Sequence, residues 1–510
     1  MAAVQGAGIL PAGRRRHSRA GHHDRGHCGL SERRGDRHGL DRHRSRADGE
    51  TVTLSLTSLG GAGTVTGSKH LLNYDGRRLL VDCGLFQGPR ELRELNWRRL
   101  EVEPASIDAV VLTHAHLDHS GYLPRLVKDG FDGPIYATPA TMDVARLILL
   151  DSAFLQEKDA EFANRHGFSR HRPALPLYTR ADAELALEKF RPVAFHELHD
   201  LGGDASLLFR RAGHILGAAT AEIRLSGQTI VFSGDLGRFG DETMVDPEPV
   251  PHADYLVIES TYGDRLHPKI DTQKVLHDII ERTARRGGTI LIPAFAVGRT
   301  QSLLYHLWAL KMHGELPLIP IYVDSPMATN ATDLLCAHMD DHRMQPMVCR
   351  DACAIATYVR DTDGSKALSA SPVPKVIISA SGMATGGRVL HHIKAFGPDP
   401  RNTILFAGFQ APGTRGRAMV DGVREVKIHG QFIEIRAEVA DLTSLSAHAD
   451  SDQLLQWIRG FQGPPRETFI VHGEPDASAS LRDRIERELK WNCTIPAMGQ
   501  RSELAEGELA

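Results

Sequence analysis

The nine residues THAHLDHSG at 113–121 constrain this chain more than any other feature. The apolar run DAVVLT (108–113) reads as a buried strand, and a helix is expected after His119. His114 and His116 lie two residues apart where the chain leaves the strand, so their imidazoles project to the same side. Asp118 and His119 arrive at the start of the next helix. Three imidazoles and a carboxylate within six residues form a nitrogen–oxygen donor set that suits zinc. Four ligands this close cannot all reach one tetrahedral ion unless the backbone folds back on itself. Two ions sharing the loop is the easier arrangement. A chain with 27 histidines also offers a plainer reading, a run of surface imidazoles, which the flanking strand and amphipathic helix disfavour.

Charge must be divided before it is interpreted. Residues 1–49 hold 11 arginines, no lysine and five acids, a local +6, and the whole chain carries −4, which leaves −10 for the rest. An acidic body excludes coating of nucleic acid by bulk attraction but not a cleft with local basic groups. Residues 1–50 are expected to be a disordered Arg/His-rich extension. No window approaches the roughly 18 consecutive apolar residues of a membrane span, and no apolar segment follows Arg14–Arg16 as a secretory signal requires. The six cysteines (28, 83, 336, 349, 353 and 493) are scattered. A reducing, cytoplasmic setting without a membrane partner is therefore expected. Cys83 beside Asp82, and Cys349 and Cys353 one helical turn apart, read as buried thiols or as chance spacing.

Order is expected from Thr51. VTLSLTSL alternates at period two, and HLLNY and RRLLVDC flank the favoured turn Asp75–Gly76 as a hairpin. A long helix is predicted over 139–167, a weaker one near 180–190, and short strands at 206–212, 219–225 and 229–233. After Tyr255 the rhythm changes. YLVIEST, TILIPAF, IPIYVDS, KVIISAS and NTILFAG alternate with helices at 272–286, 299–312 and 386–396, which reads as a parallel sheet buried on both faces. Segment 361–374 is expected to be a surface loop. Helices at 450–460 and 478–490, the strand ETFIVHG and a short polar tail complete the chain.

The other candidate residues share one topological property: each follows an apolar strand. Asp82 ends RRLLVD, His214 lies in RRAGHILG, Asp235 follows TIVFSG, and His472 closes TFIV. In open sheets, sites assemble at the carboxyl ends of strands. THAHLDHSG, then GH (213–214) and SGD (233–235), resemble in order the metal-binding motifs of the metallo-β-lactamase superfamily. ESTYG (259–263), SAHAD (446–450) and VHGE (471–474) resemble the three further motifs of its β-CASP group of nucleases, which includes the nuclease subunit of the cleavage and polyadenylation specificity factor. The likeness covers about 51–500.

The resemblance implies an α/β architecture, an αββα metallo-β-lactamase sandwich (51–258 and 441–510) interrupted by an inserted α/β β-CASP domain (259–440). It implies two zinc ions per chain. His114, His116 and His214 would hold one, Asp118, His119 and His472 the other, with Asp235 bridging. Asp82 matches the first superfamily motif and is expected to orient ligands by hydrogen bonds. Glu259 and His448 match the β-CASP acid/base pair, with His448 the acid that protonates the leaving oxygen and Glu259 its partner. The expected activity is endonucleolytic hydrolysis of single-stranded RNA, with 5′→3′ exonucleolysis left open. RNA rather than DNA is favoured because the group's RNA enzymes carry His, as here at 472, where its DNA-repair members usually carry Val. A homodimer is left open.

Three Gly-bearing loops fit a phosphate path. SASGMATGGR (379–388) follows a strand and opens a helix, so Ser381 and Gly382 could present backbone N–H groups to an anion; a tight strand–helix connection explains the glycines equally well. FAVGRTQ and QAPGTRGR place Arg299, Arg415 and Arg417 for RNA contact, or else for surface ion pairs. Two rival functions are weighed. A small-molecule ester or thioester hydrolase of the same superfamily needs only the first motifs. A non-catalytic RNA-binding subunit would not need the full ligand set.

Overall fold

Two sheets built from short apolar strands face each other in the computed structural model, which describes residues 54–504 except 168, 170 and 409. The expected extension over 1–50 lies outside the described residues. The first sheet runs, from edge to edge, Arg501–Leu504, Leu54–Gly60, Lys69–Tyr74, Arg77–Val81, Ala109–Val111, Ile135–Ala137 and Phe190–Pro192. The second runs Cys493–Thr494, Glu467–Val471, Tyr255–Glu259, Gln228–Phe232, Ala219–Leu225, Ala205–Arg211 and Leu198–Gly202. Their inner faces share one core, in which Leu56, Leu72 and Val81 of the first sheet meet Phe209, Ile230 and Phe469 of the second. Helices, including Pro139–His166 and Pro475–Leu489, close the outer faces. This is an αββα sandwich. No helix among the described residues is long and apolar enough to cross a membrane.

A third sheet of six strands carries the run of strand–helix units. Its order is Thr357–Tyr358, Ile321–Val323, Val376–Ser379, Ile290–Pro293, Thr403–Phe406 and Glu438–Asp441, with every pairing parallel. Its strands are apolar on both faces because helices cover both.

Parallel pairing decides where the candidate site residues go. In the second sheet, Gln228–Phe232 is parallel to Tyr255–Glu259, which is parallel to Glu467–Val471. Their following residues, Asp235, Glu259 itself and His472, therefore leave at one edge. In the first sheet Arg77–Val81 is parallel to Ala109–Val111, which brings Asp82 beside His114. Close backbone approach then locks the loops together. A Cβ on Gly84 would lie 1.6 Å from the Asp118 carbonyl oxygen, so only glycine fits there.

Two sequence expectations need correction. Residues Thr362–Ala370 form a helix, not a surface loop. Asp361 caps it by accepting the Gly364 N–H at 2.7 Å, and Ser365 and Leu368 turn inward. Within the stretch read as a short polar tail, Arg501–Leu504 is a strand that pairs antiparallel with Leu54–Gly60. A hairpin of Glu425–Ile428 and Gln431–Glu434 had no counterpart in the sequence reading.

Asp324, after the strand Ile321–Val323, anchors the glycine-rich loop. It accepts hydrogen bonds from Arg388 at 2.6 Å, His392 at 2.7 Å and Ser365 at 2.5 Å. Burial opposes its charge, but these three donors outweigh it and hold the carboxyl below its ordinary value. A carboxyl depressed by folding stabilises above its unfolded pKa, and that contribution is lost as pH falls through the folded value. The melting temperature of Asp324→Asn should thus lie below wild type at pH 7. The gap should close as pH drops below about 4; a gap constant down to pH 3 would refute the ionic anchor.

Candidate metal centre

His114, His116 and His214 converge with Asp235 in a buried pocket at the strand ends. His116 Nδ1 lies 3.2 Å from both His114 Nε2 and His214 Nε2. Asp235 Oδ2 is 3.4 Å from His114 Nε2 and 3.6 Å from His214 Nε2. Around a tetrahedral ion with bonds of ~2.0–2.1 Å, donor atoms are separated by ~3.3–3.4 Å. The four atoms sit at that spacing, so the donors fit a metal.

A second set shares the same carboxylate. Asp235 Oδ1 lies 3.2 Å from His119 Nε2, which is 3.1 Å from His472 Nε2, and Asp118 Oδ2 is 3.6 Å from the same His472 atom. One oxygen of Asp235 thus serves each set. His119 is oriented from behind, its Nδ1–H donating to Asp82 Oδ2 at 2.7 Å. Asp82 in turn accepts the Thr113 N–H at 2.8 Å and the Thr113 hydroxyl at 2.9 Å, and holds a left-handed φ of 59° to do so.

The electrostatics suit ligands rather than a buried salt-bridge network. Burial, reinforced by neighbouring imidazoles, drives His114 and His214 well below the ordinary value and His116 down to about 4. Burial opposes the charge on Asp235, but His472, His119 and His114 hold its carboxyl well below the usual range. Neutral imidazoles around an ionised carboxylate are the protonation states metal binding demands. His119 departs from this pattern. Burial disfavours its charge, yet Asp235 and Asp82 raise it well above the usual imidazole range, as a ring standing where a cation belongs.

His448 lies at the open side. Its Nδ1 is 3.2 Å from Glu259 Oε2 and 4.0 Å from Asp235 Oδ2, and its ring centre is 4.4 Å from that of His214. Its side chain is 17% exposed, against 1% for His114 and His214. Burial works against its charge, but the Glu259 carboxylate and its hydrogen bond lift it to about 9. Glu259 is itself fixed by the Leu236 N–H at 2.6 Å.

Sequence reading missed several residues that hold this arrangement. Lys69 is buried, donates to the Gly67 and Gly84 carbonyls, and lies 4.5 Å from the Phe86 ring. Burial lowers it to about 8. His267 donates Nε2–H to the His448 carbonyl at 2.8 Å, and the Thr261 hydroxyl lies 3.1 Å from His472 Nδ1. Thr261 could have been noticed within ESTYG; Lys69 and His267 stand in no motif.

The loop residues separate from one another. Arg299, half-buried, has no hydrogen-bond partner at Nε among the described residues, and burial brings its guanidinium down to about 10. Arg417 is exposed and paired with Asp421. With Tyr262, Arg265, His267, Gln410 and Asp441 it lines a cavity of about 130 Å³. Arg415 is committed to the fold, donating to the carbonyls of Lys427, Ala384 and Thr385 at 2.7–3.2 Å. Gly382 packs on Phe295, whose backbone nitrogen lies 2.9 Å from where a Cβ would stand. The Ser381 hydroxyl is 2.9 Å from that of Thr385.

An αββα sandwich with a two-set His/Asp centre at its strand ends defines a metal-dependent hydrolase. The sequence matches three family models in order: the metallo-beta-lactamase superfamily over 64–285, the Beta-Casp domain over 300–419, and the Zn-dependent metallo-hydrolase RNA specificity domain over 433–496. It is 39% identical to ribonuclease TTHA0252 of Thermus thermophilus over 437 residues, covering 84% of this chain and 95% of that protein. It is 32% identical to transcription termination factor FttA of Methanosarcina mazei over 457 residues, covering 86% and 69%. A crystal structure of a protein of unknown function from Enterococcus faecalis V583 shares the fold, with a TM-score of 0.50 at 14% identity, over 89% of this chain and 100% of that one. The chain belongs to the β-CASP group of the metallo-β-lactamase superfamily.

Two substitutions test the centre. Asp235→Ala removes the carboxylate common to both sets, and elemental analysis should find metal lost from both; a normal metal content would rule out the shared role. Asp82→Ala should weaken metal affinity about 10–100-fold, read by competition with a chelator.

Proposed function

We propose that this chain is a cytoplasmic, dinuclear zinc ribonuclease that hydrolyses single-stranded RNA endonucleolytically, with 5′→3′ exonucleolysis as a second mode. The observation that carries the reading is the Glu259–His448 pair, held by a hydrogen bond at the exposed side of a complete donor set. A small-molecule hydrolase of the superfamily does not require that pair, and a non-catalytic RNA-binding subunit does not require the full ligand set. Kinship with a named ribonuclease supports the choice of substrate. In this reading the β-CASP domain comprises 259–440, with the sandwich formed by 51–258 and 441–510.

His114, His116 and His214 would hold one zinc and Asp118, His119 and His472 the other, with Asp235 shared. Bound there, the ions supply Lewis acidity toward water and toward a phosphate. The protein's own groups do the rest. Asp82 keeps the His119 ring turned inward. Glu259 accepts the Nδ1–H of His448 and favours the protonated ring, which leaves Nε2–H to be given to the departing 3′-oxygen. Products are a 5′-phosphate and a 3′-hydroxyl, and the 2′-hydroxyl takes no part. Arg299 and the cavity bearing Arg265 and Arg417 are the places where backbone phosphates would be met. Tyr262, in the same cavity, offers a ring face to a base.

His448→Ala should retain wild-type metal content and RNA binding while turnover falls about 10²–10⁴-fold. Turnover near wild type would remove His448 as the acid. End-labelled RNA and DNA single strands of one sequence, digested with and without chelator, test the substrate. Chelator-sensitive RNA fragments ending in a 3′-hydroxyl are expected; preference for DNA, or no cleavage of either, would overturn the proposal.

A further inference from the structure

Away from the strand-end centre, three thiols meet. Cys336 stands near the end of the helix Pro326–Ala337, and Cys349 and Cys353 one turn apart on the helix Pro346–Cys353. The Cys336 sulfur lies 3.3 Å from that of Cys349 and 3.6 Å from that of Cys353, and all three sulfurs fall within 4.8 Å of one another. His342, buried in the segment joining the helices, fixes that segment to its own backbone, with Nε2 3.1 Å from the Leu335 carbonyl and Nδ1 accepting the Met344 N–H at 3.2 Å.

These spacings fit a metal better than a disulfide. A disulfide needs sulfurs at ~2.05 Å and Cβ atoms at ~3.5–4.5 Å, whereas residues four apart on a helix hold their Cβ atoms ~5–6 Å apart. Cys349 and Cys353 therefore cannot join while the helix stands. Pairing Cys336 with either would strand the third thiol. Thiolates around a tetrahedral zinc, with bonds of ~2.3 Å, stand ~3.8 Å apart, and the observed separations approach that value. We propose that Cys336, Cys349 and Cys353 form a three-thiolate structural site for a thiophilic divalent cation such as zinc, distinct from the strand-end centre.

The site's position gives it a purpose. Within the joining segment His342 bridges to Met244, the Arg343 N–H donates to the Thr243 carbonyl at 2.9 Å, and His338 Nε2 lies 2.8 Å from Asp143 of the long helix. Cys349, Leu335 and Met344 belong to the same buried cluster as Val144 and Leu216. A cation here would staple the two helices and fix the segment where they press on the sandwich, a few residues beyond Asp235.

The test uses the full chain, purified under reductant, stripped of metal and reloaded with Zn²⁺ or Co²⁺. Elemental analysis should find one equivalent fewer zinc in Cys336→Ser and in Cys353→Ser than in wild type; both positions are half-buried, so neither variant relies on the fully buried Cys349. The cobalt form should show a near-ultraviolet thiolate-to-metal charge-transfer band that persists in His116→Ala and is absent from Cys336→Ser. Loss of strand-end metal in His116→Ala reports on the other centre separately. Equal zinc in wild type and both cysteine variants, absence of the band, or a Cys336 disulfide found by mass spectrometry in zinc-saturated protein would overturn the proposal.

Discussion

One carboxylate holds the strand-end centre together. Asp235 is 2% exposed, and its two oxygens face separate groups of imidazoles. An isolated buried carboxylate would take up a proton, because desolvation favours its neutral form. It remains ionised because His472, His119 and His114 surround it. Those rings in turn have little water to solvate them and depend on the same carboxylate. Each half of the cluster is therefore stable only if the other is in place.

The fold meets this demand by sending strands from both sheets toward one edge. Parallel neighbours end on the same side, so residues more than 350 positions apart, such as His119 and His472, come within 3.1 Å without long loops. Short loops must then pass very close to one another. Gly84 against the Asp118 carbonyl is one such crossing. Gly213, before His214, is another, with φ near 72° and a Cβ position only 2.3 Å from the Val245 carbonyl oxygen. Buried Lys69 ties one crossing down by donating to two loop carbonyls, and the Phe86 and Tyr122 rings beside it replace part of its lost hydration.

Legibility in the sequence followed the range of the interactions. The apolar runs that became strands, and the polar residues just past their ends, carry local signals, whereas the αββα class and the division of the ligands into two sets rested on the ordered motifs that resemble the family. What escaped depends on distant partners. Residues 362–370 looked like a loop because Pro, Ser and Asp punctuate the surroundings, yet an Asp cap and two inward side chains suffice to make a helix. Arg501–Leu504 is too short to alternate visibly and becomes a strand only because Leu54–Gly60 offers a free edge. Cys336 stood among scattered cysteines apart from Cys349 and Cys353, since nothing in their spacing says that two helices will pack side by side.

The charge of the molecule is reconciled with its proposed substrate by the same distinction between local and summed effects. A body with a net excess of acids repels a polyanion at long range, but screening over ~8–10 Å makes the net value nearly irrelevant inside a cleft. Of the acids at the centre, Asp235 and Glu259 are buried against imidazoles, and Asp118 lies beside His472. Around them stand Arg265 and Arg417 in the cavity and Arg299 with an unsatisfied Nε. A buried guanidinium nitrogen without an acceptor carries a desolvation cost of about 1–3 kcal/mol or more. Arg415, whose donors already serve three carbonyls, has no such deficit. Of two arginines in similar glycine-bearing loops, Arg299 alone keeps a nitrogen unsatisfied by its own fold, which supports the proposal that it, and not Arg415, meets the RNA backbone.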